Sequence, residues 1–249
     1  MELKKTGLSG STLKLIALVT MLIDHFGAVV VVRATHTPGF DREFWSYIYY
    51  PLRNIGRLAF PIFAFMVAEG CRYTHNRRSY LFSMVKIAGF CQIVYFLAMD
   101  SLYQCILVTF SLSILLIYCM DNAQKKRSLS AWIVFVSVCA GSWWICVILP
   151  SLLDKVLPGT DFAIDYGIWG VLFPVLVYLG KSREQKALLA GIALVSLGIS
   201  MQGIQWYGLA SLPLLWFYNG ERGRWRMKSF FYFYYPLHLF VIYLLGLVL

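Results

Sequence analysis

Residues 12–27 read TLKLIALVTMLIDHFG. From Leu13 to Val32 the chain has the length and apolar character of a membrane-crossing helix, which needs about 20 mostly apolar residues. Yet Asp24 and His25 sit well inside it. The rest of the chain supports the membrane reading. Hydrophobic residues make up 59% of the 249 positions and charged residues 14%, with a mean hydropathy of +0.68. Soluble domains carry roughly 45–50% apolar and about 25% charged residues. One soluble core could not hide this much apolar surface, so the expected fold is an all-α, polytopic integral membrane helix bundle.

The net charge of +10 is confined to short loops between apolar runs. That is where membrane topology places Lys and Arg, and no loop is long enough to read nucleic acid. The six cysteines all fall in or beside apolar runs without a CxxC pair, so neither a metal site nor a disulfide framework is expected. The N-terminal MELKKTGLSG leads into an apolar run too long for a signal-peptide core, and is read as the approach to a retained first helix.

On a template of about 20 residues, nine spans are expected: roughly 13–33, 55–73, 80–98, 102–120, 131–149, 165–180, 186–201, 204–218 and 229–249. The seventh and eighth are short and divided by Gln202-Gly203, so one of them is tilted or re-entrant. With Lys4 and Lys5 in the cytoplasm, the basic loops around Arg72–Arg78, Lys125–Arg127, Lys181–Lys186 and Arg222–Lys228 all fall inside. Only Arg33, Arg42, Arg53 and Lys155 are left outside, a strong positive-inside bias. The N-terminus is therefore expected in the cytoplasm, the C-terminus outside, and the protein in the cytoplasmic (inner) membrane as a multi-pass chain. Two outer loops, roughly 34–54 and 150–164, are rich in aromatics and proline and read as interfacial segments. No internal repeat or soluble domain interrupts residues 1–249, which read as one domain.

Helical geometry gives the buried charges their directions. His25 lies about 18 Å into the first helix, near the midplane. Lys14 comes eleven residues earlier, and eleven steps of about 100° return to within about 20°, so the two share a face. Asp24 points about 100° away and needs another partner, such as Arg57 or His238. Charge at the bilayer centre costs about 2.5–3.5 kcal/mol on insertion scales. The structural alternative is that Asp24 and His25 only lock helices together by hydrogen bonds. Arg57 and Glu69 bracket the second span, where snorkelling of Arg57 and pairing of Glu69 with Arg72 are the plainer readings. Pro61 bends that span, and Pro236 bends the last one just before His238, a candidate functional or core histidine. Asp165 and Tyr166 open the sixth span, either as a helix cap or on the acceptor side of a site.

Five stretches, LSGSTLKLIALVTMLIDH (8–25), GRLAFPIFAFMVAEG (56–70), DYGIWGVL (165–172), NGERG (219–223) and FYFYYPLHL (231–239), together resemble the TraX family. Its founding member is associated with N-terminal acetylation of conjugative pilin. The family looks related to the acyltransferase-3 group, whose relatives carry a basic residue, ten intervening residues and a histidine on the first helix. Lys14 and His25 fit that spacing. Gln92, where many of those relatives carry an acid, and Tyr73-Thr74-His75 depart from the pattern.

The resemblance implies acyl transfer from cytoplasmic acetyl-CoA, without a metal, with His25 as base or acyl carrier and Asp24 beside it. Lys14, Arg72, Arg77 and Arg78, together with Arg57, Glu69 and His238, are the residues expected to bind the acyl donor or substrate. The lipid bilayer is the expected surrounding. A pilin N-terminus, a glycan and a lipid headgroup all stay open as acceptor. Two other classes stay open as well: a proton-coupled membrane carrier, which would also use intramembrane acids and histidines, and a non-catalytic membrane assembly factor.

Overall fold

The computed structural model describes residues 6–39, 41–99, 101–225 and 228–248, and the side chains of all of these except 98–99, 228–229, 231–233 and 247–248. The basic residues Lys4, Lys5 and Arg226 lie outside the described residues, as do the side chains of Lys228, Phe231 and Phe233. Among the described residues every regular element is helical, and the extended pairing is limited to two isolated bridges. The order is α1 (Gly10–His25), a π-helical turn (Phe26–Val31), α2 (Val32–His36), α3 (Arg42–Gly56), α4 (Ala59–Tyr73), α5 (Arg77–Met99), α6 (Ile106–Lys126) and α7 (Leu129–Trp143). A second π-helical turn (Trp144–Ile148), α8 (Leu149–Val156), α9 (Gly167–Leu179) and α10 (Arg183–Met201) follow. A 3₁₀ segment (Gly203–Ser211), α11 (Leu212–Trp216) and α12 (Lys228–Val248) complete the chain.

Among the described residues, five helical runs are long and apolar enough to cross a membrane: Gly10–His36, Arg77–Leu97, Ile106–Lys126, Leu129–Val156 and Arg183–Met201. Gly167–Leu179 and Tyr234–Gly246 are apolar but shorter. Two expectations change in detail. The stretch expected as an outer interfacial loop contains a 15-residue helix, α3, started by the Asp41 carboxylate, which accepts from the N–H of Phe44 at 3.1 Å. Its polar and aromatic residues alternate around the helix, so its apolar residues form a stripe rather than a continuous run. The eighth expected span is mostly 3₁₀, entered through a left-handed Gln202 (φ 57°), and is not a regular α-helical crossing.

The described residues divide into two compact units, Met1–Met66 with Gly198–Leu249, and Val67–Leu197. In the first, α1 buries Leu13, Ala17, Met21 and Asp24, spaced three or four apart, so one stripe faces inward. α3 packs along α1, the π-helical turn and α2, while α12 packs on α1 and the same turn. Arg33 donates to the carbonyl of Gly246 at 2.8 Å, placing a cation at the C-terminal end of α12.

In the second unit, α6 packs between α5, α7 and α9. Hydroxyls join α6 to α9: Thr109 donates to the Asp165 carbonyl at 2.7 Å and Ser113 to the Val171 carbonyl at 2.8 Å. Short extended segments pair through Gln104 and Ile164. The Tyr103 hydroxyl donates to Asp165 at 2.8 Å, and burial together with the Asp165 charge pushes that phenol up. Long α7 leaves Trp132, Ile133, Val136 and Trp143 exposed, the pattern of a helix surrounded by lipid.

Candidate active site

One face of α1 carries Lys14, Leu18, Met21 and His25 at helical spacing. At its far end the His25 Nδ1 lies 2.8 Å from the Met21 carbonyl, one turn back. On α12 the His238 Nδ1 lies 2.9 Å from the Tyr234 carbonyl, again one turn back. A carbonyl only accepts, so both Nδ1 atoms carry the hydrogen. In its neutral form each ring therefore presents its lone pair at Nε2. The two rings meet edge to face, with centroids 5.0 Å apart and planes at 84°. Tyr234 stacks on His238 at 4.9 Å and Tyr235 packs edge-on at 5.3 Å. The Tyr234 hydroxyl donates to the Leu18 carbonyl at 3.2 Å, tying this clamp to α1. His238 Nε2 is buried and has no hydrogen-bond partner among the described residues.

Asp24, the neighbour of His25 in sequence, turns the other way. Its carboxylate meets Arg57 at 2.5 Å and Arg53 at 2.7 Å, with Asp24 8% and Arg57 7% exposed. One carboxylate between two guanidiniums leaves net positive charge beside His25. α3 reaches this depth because Gly27 and Gly56 remove side chains from the contact. A Cβ on Gly56 would overlap the Asp24 carboxylate, and one on Gly27 would meet Leu52 and Arg53. The π-helical turn starts at Phe26, directly after His25. Such insertions re-aim side chains and are frequent at functional sites.

At the other end of the same face, α1 is clasped by the segment after α11. Ser9 caps the helix by accepting from the N–H of Thr12, while Gly10 and Ser11 donate to the carbonyls of Glu221 and Arg222 at 2.8 and 3.0 Å. Leu8 pairs with Tyr218, and Asn219 donates to the Leu8 carbonyl at 3.0 Å. Gly223 adopts a left-handed φ of 86°, and any Cβ there would strike the hydroxyls of Ser9 and Ser11. The NGERG stretch is thus the clasp itself. It brings Arg222 close enough for its charge to act on the half-buried Lys14.

The remaining candidates lie in the second unit. Glu69 is 2% exposed and receives Lys186 at 2.7 Å and Arg72 at 3.6 Å. Arg72 also donates to the carbonyls of Tyr178 and Gly180 at 2.7 and 2.8 Å, holding the end of α9. Arg77 meets Asp121 at 2.5 Å, and Tyr178 donates to the same carboxylate at 2.7 Å. Arg72 and Arg77 are thus engaged in joining helices, whereas Arg78 is exposed on the first turn of α5. Tyr166 is the N-cap of α9 without a side-chain cap bond, in a left-handed conformation (φ 58°), while Asp165 spends its carboxylate on Tyr103.

Sequence reasoning names His25, Asp24, Arg57 and His238 but passes over Arg53, Tyr234 and Tyr235. The available signal for Arg53 is its spacing of four from Arg57, which puts both on one helical face once α3 is known to be a helix. For the tyrosines it is their position three and four residues before His238.

A membrane-spanning helical chain with two tautomer-locked imidazoles beside a buried Arg–Asp–Arg cluster is the class that the fold and site define. This chain belongs to the TraX protein family, whose sequence model matches residues 9–246. It is also similar, at 25% identity over 257 residues and 93% of each chain, to the probable fimbrial assembly protein FimC, serogroup H1, of Dichelobacter nodosus. No solved structure matches it.

Proposed function

We propose that this protein is an inner-membrane acetyltransferase, moving an acetyl group from cytoplasmic acetyl-CoA to an amine or hydroxyl acceptor at or across the membrane. The observation that carries the reading is the locked His25 imidazole, with its Nε2 lone pair held deep in a spanning run on the same face as Lys14. A neutral imidazole is a competent base near pH 7. His25 Nε2 takes the acceptor's proton as its nitrogen or oxygen attacks the thioester carbonyl. The C–S bond then breaks, and the departing thiolate takes that proton back from His25, which returns to its starting state. The positive balance of Arg53, Arg57 and Asp24 favours the oxyanion formed in between. Lys14 and Arg222 supply cations for the nucleotide phosphates, with the N-terminus of α1 at the cytoplasmic side. The rise from Lys14 to His25, about 16 Å, is comparable to an extended pantetheine arm.

The test is acetyl-CoA turnover by the purified protein in nanodiscs, followed through free CoA thiol, beside His25→Ala. Turnover in the wild type that disappears in the variant supports the reading. Failure of the wild-type protein to bind acetyl-CoA would sink it. The fimbrial-assembly name of the relative favours a second reading, a non-catalytic assembly factor. Retention of the cellular phenotype by a Lys14→Ala/His25→Ala double variant would select that alternative.

A further inference from the structure

Two of the six cysteines, far from any CxxC spacing, are brought side by side by the fold. Cys91 on α5 and Cys105, the N-cap of α6, are both fully buried. A hydrogen bond joins their thiols, with Cys91 donating to the Cys105 sulfur. Cys105 in turn directs its own S–H at the Ala88 carbonyl, 3.9 Å away. Ala88, Cys91 and Gln92 lie three and four positions apart and so line one face of α5. Gln92 holds the facing segment along that face. Its Oε1 accepts from the Cys105 N–H at 3.3 Å, and its Nε2 donates to the Tyr103 carbonyl at 2.9 Å. The approach of the two sulfurs is therefore fixed by contacts to backbone atoms, not by side-chain packing alone.

The pair also stands at a particular depth. α6 runs 21 residues back from Lys126, beside a basic loop expected inside, to Ile106. At 1.5 Å per residue that is about 31 Å, the thickness of a hydrocarbon core, so Cys105 sits at its outer edge. On that side of a bacterial inner membrane disulfides form and persist, whereas in the cytoplasm thiols stay reduced. Cys119 and Cys139 also come near each other, but Cys119 lies seven residues from Lys126, toward the inner end of α6.

We propose that Cys91 and Cys105 are joined by a disulfide, made during insertion by a disulfide-bearing oxidant of the outer compartment. Acetyl transfer uses neither sulfur, so the bond stands or falls apart from that reading. The step is thiol–disulfide exchange. The Cys91 hydrogen bond and the N–H groups of Leu107 and Val108 hold the Cys105 thiol below its ordinary value against burial, which makes it the first nucleophile. Its thiolate attacks one sulfur of the oxidant R–S–S–R, forming a mixed disulfide and releasing one R–S⁻. The Cys91 thiolate then attacks the Cys105 sulfur and displaces the second R–S⁻. Two thiols are oxidised to one disulfide, and the oxidant leaves as two R–SH carrying both protons.

Access closes later in synthesis. Gln104, next to Cys105, donates to the Ala163 carbonyl at 2.8 Å and accepts from the Asp165 N–H at 3.1 Å. At about 5–20 residues per second, the roughly 60 residues between these segments take about three to twelve seconds. Oxidation in that window leaves the bond covered, and staples to α5 the turn whose Tyr103 hydroxyl holds Asp165.

The experiment uses the full-length protein expressed in a bacterial inner membrane. Cells are lysed into denaturant with N-ethylmaleimide and no reductant, and the intact mass is measured. Because the chain holds six cysteines, four adducts are expected, rising to six when reduction precedes alkylation. Cys91→Ser and Cys105→Ser should each carry five adducts without reductant. Unreduced digests of the wild-type protein should contain one linked pair of peptides, holding Cys91 and Cys105, that reduction separates. Six adducts on the unreduced wild-type protein would overturn the proposal. So would four adducts with Cys119 linked to Cys139, or three adducts in both single variants, since either result places the bond elsewhere.

Discussion

Arg57 meets the Asp24 carboxylate at 2.5 Å, and the acid adjacent to His25 in the chain is thereby turned away from the imidazole. Asp24 and Arg57 are both nearly buried, and Arg53 completes the cluster. Removing the carboxylate by Asp24→Ala strands two guanidiniums in a poorly solvated place. Loss of one partner of a buried ion pair costs about 3–5 kcal/mol. We expect a clearly lower melting temperature in detergent, with turnover per folded molecule less affected than in His25→Ala. Equal thermal stability would show the cluster to be hydrated rather than buried.

Gly56 offers a finer probe of the same contact. A methyl group there would occupy the space of the Asp24 carboxylate, whereas one at Gly141 on α7 meets nothing within 4 Å. Overpacking of this kind costs about 1–3 kcal/mol, while a methyl group entering open space on a helix adds up to about 1 kcal/mol of helix propensity. Thermal melts of Gly56→Ala and Gly141→Ala should therefore differ, with only the first lowered.

Gly223→Ala tests the clasp. The left-handed φ of 86° and the collision with Ser9 and Ser11 both oppose a side chain. The variant should release the start of α1, seen as faster amide exchange at Gly10 and Ser11, and under the proposed function it should also weaken acetyl-CoA binding through displacement of Arg222. Unchanged exchange at those two amides would show that the loop is not what holds the helix end.

Asp161 gives a pH dependence outside the spanning segments. The Ser101 hydroxyl and the Leu102 N–H, at 2.8 Å, hold its carboxyl below the usual carboxylate range. A depressed folded value means the contribution is complete above the ordinary pKa near 4 and is lost as pH falls through the folded value. The protection factor of the Leu102 amide should drop between pH 6 and pH 3. Asp161→Asn should remove most of that change.

Much of the helical pattern is legible in the chain because lipid imposes long apolar runs, and the 3.6-residue repeat places Lys14 and His25 on one face before any coordinates are known. Arg57 was one of two partners that geometry offered Asp24, and it is bound there. Other features were hidden for physical reasons. α3 mixes polar and aromatic residues and contains Pro51, so it lacks the continuous apolar run by which spans are recognised, and Arg53 was lost with it. The π-helical turn leaves no mark in composition, and the 3₁₀ segment Gly203–Ser211 is apolar enough to resemble an ordinary span. Pairing of His25 with His238 depends on how α12 packs, which spacing along the chain does not encode.

The contacts around α1 also set an order of biogenesis. Asp24 finds Arg53 and Arg57 only 29 and 33 positions later, so its charge is neutralised as soon as the first helical hairpin is made. The Tyr234 clamp is 216 positions from Leu18, and the residues clasping the start of α1 are almost as distant. At about 5–20 residues per second, roughly ten to forty seconds of synthesis separate the two. Through that interval the first helix waits in the bilayer with His25 lacking His238 and with the Gly10 and Ser11 amides still without their carbonyl partners. Nascent chains that stop short of α12 carry half a site, so the histidine pair forms only once nearly the whole polypeptide has been inserted.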